Sequence, residues 1–169
     1  MARLFFALWP DAAAAAALAR LAQEVVRVAG GRPVPPEKLH LTLAFLGEVD
    51  ESRMPLLPDC ARLRAARFRL ELDRVGSFRR ARVAWAGASA PPRELLGTQA
   101  MLAGRLAAAA FSLEEREYTP HLTLARRIER PIPPAAIPPV AWNADALPLV
   151  RSESGTGRYR VLERWPLGG

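Results

Sequence analysis

The chain has 169 residues, of which 50% are hydrophobic and 24% charged, and its formal net charge is +7 at pH 7. This composition is typical of one globular domain with a sizeable core and excludes a disordered chain, and no apolar run approaches the ~20 residues of a membrane-spanning helix. The positive charge favours a polyanionic partner, but a GC-rich genome, in which arginine replaces lysine, would equally explain why every basic residue except Lys38 is arginine.

The first half of the chain predicts a strand, a long helix and three more strands. Residues 4–8 form the first strand, and Asp11 caps a helix from about residue 12 to residue 28 that ends at Gly30 and Gly31. The buried face of this helix is expected to contain Leu18, Leu21, Val25 and Val28. Prolines at 33–36 lead into the next strand, and the remaining elements are a short helix at 54–66 and strands at 68–72 and 82–86.

The second half repeats this plan. A helix from about residue 93 to residue 111 is followed by Pro120, which leads into another strand. Residues 131–139 are rich in proline and are expected to form a surface loop. Residues 147–152 and 158–162 are expected to pair as a hairpin, because glycines lie between them.

One five-residue string occurs in both halves. His40 to Ala44 reads His-Leu-Thr-Leu-Ala, His121 to Ala125 reads the same, and the chain has no other histidine. The leucines alternate with His and Thr, so each string predicts a half-buried strand with its leucines toward a core and its His and Thr on the other face. If the two strands line one cleft, two imidazoles and two hydroxyls converge there.

This set of groups suits a phosphate diester as substrate. An imidazole titrates near neutral pH, so one histidine can act as a base while the other acts as an acid. The hydroxyls of Thr42 and Thr123 can donate hydrogen bonds to phosphate oxygens. The alternative is a duplication that kept its strand pattern without any chemistry.

Several other classes of site have no support in the sequence. No Gly-x-x-x-x-Gly-Lys-Ser/Thr string for ATP binding occurs, and no His, Cys and carboxylate residues show metal-ligand spacing, so we expect neither a cofactor nor a metal. Cys60 is the only cysteine and cannot form an internal disulfide. With no secretory segment recognised, this favours a cytoplasmic protein.

The two strings and their flanks resemble a known family. Residues 35–47 and 118–126 resemble the two motifs of the two-histidine (2H) phosphoesterases, and the flanking sequence resembles their RNA 2′,3′-cyclic phosphodiesterase branch, the 2′-5′ RNA ligases of the LigT/ThpR type. Residues 3–8 resemble the first strand of that family, and residues 157–159 and 165–167 resemble its closing strand.

The resemblance implies an α+β fold in which residues 1–169 form one bilobal domain. Each of two pseudo-symmetric lobes would have a mostly antiparallel sheet with helices outside, and the active site would lie in the cleft between them. The implied reaction is metal-independent hydrolysis of RNA 2′,3′-cyclic phosphate ends to 2′-phosphomonoesters by a monomer that contacts no membrane, with tRNA halves as one candidate substrate. The resemblance also implies that the same site could join a 2′,3′-cyclic end to a 5′-hydroxyl without ATP.

The resemblance also assigns roles to individual residues. It implies that His40 is the acid, that His121 is the base, and that Arg126 contacts the phosphate or ribose. Phe45 occupies the matching position of the first repeat and either stacks on a base or packs in the core. Strand parity places Phe45 and Arg126 on the leucine face, so contact of either residue with the substrate requires a β-bulge or a strand end there.

Two rivals to this interpretation remain open. One is a cyclic phosphodiesterase that acts on a small nucleotide, and the other is a non-catalytic RNA-binding module with the same cleft. Tyr118, Arg151 and Ser152 are interpreted as ordinary surface or strand-pairing residues.

Overall fold

The computed structural model describes residues 1–168, which form an α+β fold with one antiparallel sheet and three helices. The elements in chain order are β1 (Ala2–Leu8), α1 (Ala12–Ala29), β2 (Arg32–Pro33), β3 (Leu41–Val49), α2 (Leu57–Ala61), β4 (Phe68–Phe78), β5 (Val83–Gly87), α3 (Arg93–Ala108), β6 (His121–Arg126), β7 (Ala135–Ala144), β8 (Ala146–Ser152) and β9 (Tyr159–Pro166). Within residues 1–168, no helix combines the length and the apolar character that crossing a bilayer would require.

The strand order places the two repeated strings side by side at the middle of the sheet. The order is β7-β4-β5-β6-β3-β1-β8-β9, and the short β2 pairs with β6. The centre of the sheet is therefore the β6–β3 pair, which is held by one register position, Leu41 opposite Leu122. The predicted α+β class is confirmed, and the strands on either side of this junction belong to one continuous sheet.

The predicted core face of both strings is confirmed. Leu41, Leu122 and Leu124 are completely buried, and Leu43 is nearly so. Helix α1 packs on this face of the sheet through a row of residues spaced three or four apart: Ala14, Leu18, Ala22, Val25 and Ala29. Val28 was expected in that row, but it lies off this face and is 66% exposed.

Both ends of α1 follow the sequence signals. The Asp11 side chain accepts a hydrogen bond from the Ala14 N–H at 2.8 Å, as an N-cap residue does. Gly30 ends the helix with a φ of 75°, and its N–H donates to the Val26 carbonyl.

Two predicted helices differ from the structure. Residues 54–66 do not form one helix, because Pro55 and Pro58 divide the segment into a 3₁₀ turn (Glu51–Leu56) and the short α2. Helix α3 ends at Ala108, where Ala110 adopts a φ of 60° and the Phe111 N–H bonds back to Leu106.

The prediction of a surface loop at 131–139 is wrong at its C-terminal end, where β7 begins at Ala135. Pro138 and Pro139 are tolerated because β7 is an edge strand. They also fall where the β4–β7 register shifts, between Leu72 opposite Val140 and Arg74 opposite Ala136.

The turn after α1 allows close backbone contact with the end of β6. Gly31 has a φ of 86°, and a Cβ atom built on it would lie 2.5 Å from the Arg126 carbonyl oxygen. Only glycine fits there without displacing the backbone of β6. This contact joins the turn to the strand that contains the second string.

We predict that Gly31→Ala destabilises the fold more than Gly155→Ala does. Both glycines have positive φ, so each alanine costs about 1–2 kcal/mol in backbone strain. A Cβ at Gly155 meets nothing within 4 Å, whereas at Gly31 the displaced backbone adds roughly 1–3 kcal/mol. Urea unfolding of both variants measures the difference, and equal losses would show that the close contact has no energetic weight.

Candidate active site

The strands β3 and β6, which contain the two strings, each have a β-bulge. The bulges turn Phe45 and Arg126 toward the face on which the histidines lie. In β3, Phe6 lies opposite Ala44 and Ala7 opposite Thr42, so Leu43 is the extra residue. In β6, the corresponding register shift makes Leu124 the extra residue. Ala44 and Ala125 are consequently buried on the leucine face.

Because of the bulges, Phe45 and Arg126 lie on the histidine face and not on the leucine face, as contact with a substrate would require. Phe45 is 39% exposed instead of packed in the core, and Arg126 is exposed as well. Both side chains line the same cleft as His40.

The carbonyl groups at the two bulges have partners from outside their own strand pair. The Leu43 carbonyl accepts from Gln99 Nε2 at 3.3 Å, and the Leu124 carbonyl accepts from the Val34 N–H at 2.8 Å. Because a bulge leaves a backbone group without its ladder partner, these bonds satisfy groups that would otherwise lose a hydrogen bond.

Both imidazoles are oriented by the same local hydrogen bond. His40 Nδ1–H donates to the Lys38 carbonyl at 2.6 Å, and His121 Nδ1–H donates to the Thr119 carbonyl at 2.8 Å. A carbonyl oxygen can only accept, so Nδ1 must be the protonated nitrogen in each neutral ring. Nε2 is left free on both histidines to accept or release a proton.

The two strings meet antiparallel at their first leucines. Leu41 lies opposite Leu122, and each leucine is flanked by the histidine and the threonine of its own string. The two strings are thus interchanged by a half-turn about the Leu41–Leu122 pair. This places the two imidazoles and two hydroxyls on adjacent strands.

The two histidines have different surroundings. Trp9 stacks on the His40 ring at 5.0 Å between centroids, Phe5 lies at 5.1 Å, and the edge of Tyr159 lies at 5.5 Å. Burial among these rings lowers the pKa of His40, and the charges of Arg126 and His121 lower it further, against the opposing effect of the bond to Lys38.

His121 is flanked by fewer aromatic rings. The edge of Phe78 contacts it at 5.1 Å, and Phe78 in turn packs against Trp85, which lies opposite Thr123. Gly76 makes room for the indole, since a Cβ there would lie 2.4 Å from the Trp85 ring.

A cleft of about 580 Å³ opens on the His40 side of this face. Of the six predicted site residues, four line it: His40, Thr42, Phe45 and Arg126. His121 and Thr123 lie outside its lining, on the adjoining β6 strand. Residues without a predicted site role complete the wall: Arg3, Phe5, Glu48, Ser152, Glu153, Ser154, Gly155, Gly157 and Tyr159.

Tyr118 links the two strings and is not the ordinary surface residue that the sequence suggested. Its hydroxyl donates to the Thr42 carbonyl at 2.8 Å, and burial raises its pKa strongly. A reciprocal link runs the other way, because β2, which precedes the first string, pairs with β6. Each string is therefore attached to the segment that leads into the other.

Sequence reasoning assigned no site role to the aromatic residues that surround His40. Trp9 lies just after β1 and Tyr159 begins β9. An aromatic residue at the end of a strand is common and does not by itself indicate a site. Only the order β3-β1-β8-β9 brings them onto one imidazole. Among residues 1–168, no three His, Cys, Asp or Glu side chains are grouped so that they could hold a metal ion.

Comparison with known proteins gives consistent matches. Residues 8–85 match the family described as LigT like Phosphoesterase. The chain is 38% identical over 144 residues to an RNA 2′,3′-cyclic phosphodiesterase of Escherichia coli, covering 81% of this chain and 80% of that protein. It is 37% identical to one of Thermus thermophilus, covering 99% of this chain and 91% of that protein.

The fold matches over the whole length. The solved structure of E. coli LigT complexed with 3′-AMP superimposes with a TM-score of 0.89 at 34% identity, covering 99% of each chain.

We predict that Tyr118→Phe lowers the free energy of unfolding by about 1 kcal/mol, because the Thr42 carbonyl loses a buried hydrogen-bond partner. Tyr159→Phe is the matched control, since the Tyr159 ring contacts His40 while its hydroxyl has no hydrogen bond within residues 1–168. Urea unfolding compares the two variants. A loss of the same size in Tyr159→Phe would remove the special role of the Tyr118 hydroxyl.

We also predict that His40 titrates below its ordinary pKa of 6.5 and that Arg126→Gln raises its pKa, because one of the charges that oppose protonation is removed. Arg127→Gln removes the same charge at the next residue and is expected to change the pKa much less. NMR titration of the His40 ring carbons measures all three proteins. A wild-type pKa at or above 6.5 would contradict the burial described here.

Proposed function

The chain belongs to the LigT-like phosphoesterase family, and from that premise we propose that it hydrolyses RNA 2′,3′-cyclic phosphate ends to 2′-phosphomonoesters. The observation that carries this proposal is the matched pair of histidines, each with Nδ1 bonded to a carbonyl and Nε2 free. The relatives described as RNA 2′,3′-cyclic phosphodiesterases supply the substrate class.

In the proposed reaction, His121 Nε2 accepts a proton from water as the water oxygen bonds to phosphorus. The bond from phosphorus to O3′ breaks, and His40 Nε2–H gives its proton to O3′. The product carries its phosphate on O2′, and the two proton transfers leave the protein with no net change of charge.

Three side chains would stabilise the negative charge that develops on the non-bridging oxygens of the phosphate. The Thr42 and Thr123 hydroxyls would donate to non-bridging oxygens, and Arg126 would add a charge-assisted bond. The bulges support this role for Arg126, because they turn it onto the histidine face. Phe45, turned the same way, would offer its exposed ring to a base.

The lowered pKa of His40 bears on its role as acid. In the free protein, burial holds the pKa of His40 below its ordinary value and so favours the neutral imidazole. A bound phosphate diester carries negative charge, which favours the protonated imidazole and raises that pKa. Substrate binding would therefore favour the protonated form of His40, which gives its proton to O3′.

The proposed cleft lies between two pseudo-symmetric lobes. One would consist of β3, β1, β8 and β9 and the other of β6, β5, β4 and β7, with four strands on each side of the junction between β6 and β3. The paired bulges and the reciprocal links support this relation. Each lobe would contribute one histidine and one threonine.

The same site could join RNA ends without ATP. If an RNA 5′-hydroxyl replaces water, its oxygen bonds to phosphorus, O3′ leaves with a proton, and a 2′-5′ linkage results. Because the 5′-hydroxyl takes the place of water, the same two histidines would serve this reaction as base and acid.

We predict that His40→Ala and His121→Ala each lower kcat/KM by roughly a hundredfold or more, as loss of a general acid or base does. The double variant should lose far less than the product of the two effects, because the histidines act as a unit. The substrate is an oligonucleotide with a 2′,3′-cyclic phosphate end, assayed in excess EDTA with the product end mapped.

Three outcomes would count against the proposal. Wild-type protein that binds this oligonucleotide without turnover would be an RNA-binding module. A strict requirement for added Mg²⁺ or Mn²⁺ would contradict the two-histidine mechanism. Near-normal turnover in either single variant would show that the histidines do not share one reaction.

A further inference from the structure

The cleft continues past the histidine and threonine along strand β1. Ala7 lies opposite Thr42, and Phe5 and Arg3 follow on the same face toward the start of the strand. Four residues of a β-strand span about 13 Å. The backbone of Arg3 therefore lies at the opposite end of this face from Thr42, and we treat that end of the cleft as a separate place for a ligand group.

Arg3 is an uncommitted cation at that far end. Its guanidinium lies over the Phe45 ring, 5.2 Å from the ring centroid, which holds the charge in the cleft. Within residues 1–168 it has no ion pair and no side-chain hydrogen bond, so all five of its N–H donors are available.

The neighbouring arginines are already paired. Arg151 bonds Glu51 at 3.2 Å, and Arg160 lies 3.9 Å from Glu153. Glu48 lies opposite Arg3 in the sheet, but the two side chains form no ion pair. Arg3 is therefore the group at this end of the cleft that is best able to receive an anion.

We infer that Arg3 and Phe45 form a second subsite, which binds the nucleotide preceding the cyclic phosphate end. This inference rests on the proposed function and names the substrate more closely: a single-stranded oligonucleotide rather than a mononucleotide. Arg3 contacts the phosphate that joins the last two nucleotides, and the Phe45 ring packs against a base. An aromatic ring beside a cation is the usual pair of contacts to single-stranded RNA, and it tolerates any base sequence.

The direction of the chain agrees with this placement. A 2′,3′-cyclic phosphate is the 3′ end of its RNA, so the rest of the molecule leaves the reacting phosphate on one side only. The lining residues extend from His40 and Arg126 toward Arg3 and Ser152–Ser154, which gives that strand a path. Glu48 beside Arg3 opposes a phosphate there, so the charge of Arg3 decides whether the subsite binds.

The test compares kcat/KM for a trinucleotide ending in a 2′,3′-cyclic phosphate with kcat/KM for a 2′,3′-cyclic mononucleotide. The wild-type protein is expected to prefer the trinucleotide by about tenfold or more, and Arg3→Gln should bring the ratio close to one, since a charge-assisted contact is lost. Glu48→Gln should raise the ratio, because a repelling carboxylate is removed.

Arg20→Gln on the exposed surface of α1 is the matched control, with the same change of charge on the helix layer that covers the other face of the sheet. It should leave the ratio unchanged. The salt dependence gives an independent readout: the slope of log KM against log salt for the trinucleotide should fall by about 0.7 in Arg3→Gln, as one phosphate contact is lost.

The outcomes separate the two claims. Equal kcat/KM for both substrates in the wild type, or a length preference that Arg3→Gln leaves intact, would overturn the second subsite while the proposed hydrolysis stands. Failure to hydrolyse either substrate would instead overturn the proposed function.

Discussion

The antiparallel contact between β3 and β6 at Leu41 and Leu122 is the constraint on which the site depends. Both leucines are completely buried, so their position is set by core packing and not by the polar residues beside them. Because the pair is antiparallel, it relates the two strings by a half-turn, and the histidine and threonine of each string flank the paired leucine. The leucines of the repeat thus fix the arrangement of its polar residues.

A contact of one register position is a small area of pairing, and other bonds reinforce it. Tyr118 attaches the segment before the second string to the first string, while β2 and Val34 attach the segment before the first string to the second. These bonds cross the middle of the sheet in both directions. Sliding of one half against the other would break all of them, which favours a single arrangement of the two histidines.

The two strings have the same bulge but different aromatic surroundings. The bulges act alike in both strands, turning Phe45 and Arg126 onto the histidine face. Trp9, Phe5 and Tyr159 enclose His40, whereas Phe78 is the one aromatic side chain among residues 1–168 that contacts the ring of His121. Burial lowers the pKa of His40, so the residues around this string, and not the string itself, determine that shift.

The sequence by itself determined the repeated strings, the leucine face and the α+β class, because each of these follows from local periodicity and from the types of residue present. It also predicted that Phe45 and Arg126 need a β-bulge or a strand end to reach the histidine face. It did not reveal that Pro138 and Pro139 lie in an edge strand, since pairing with β4 is decided by the sheet. Only the tertiary structure decided the surroundings of His40, the role of Tyr118 and the position of Arg3, because these depend on strands far apart in the chain.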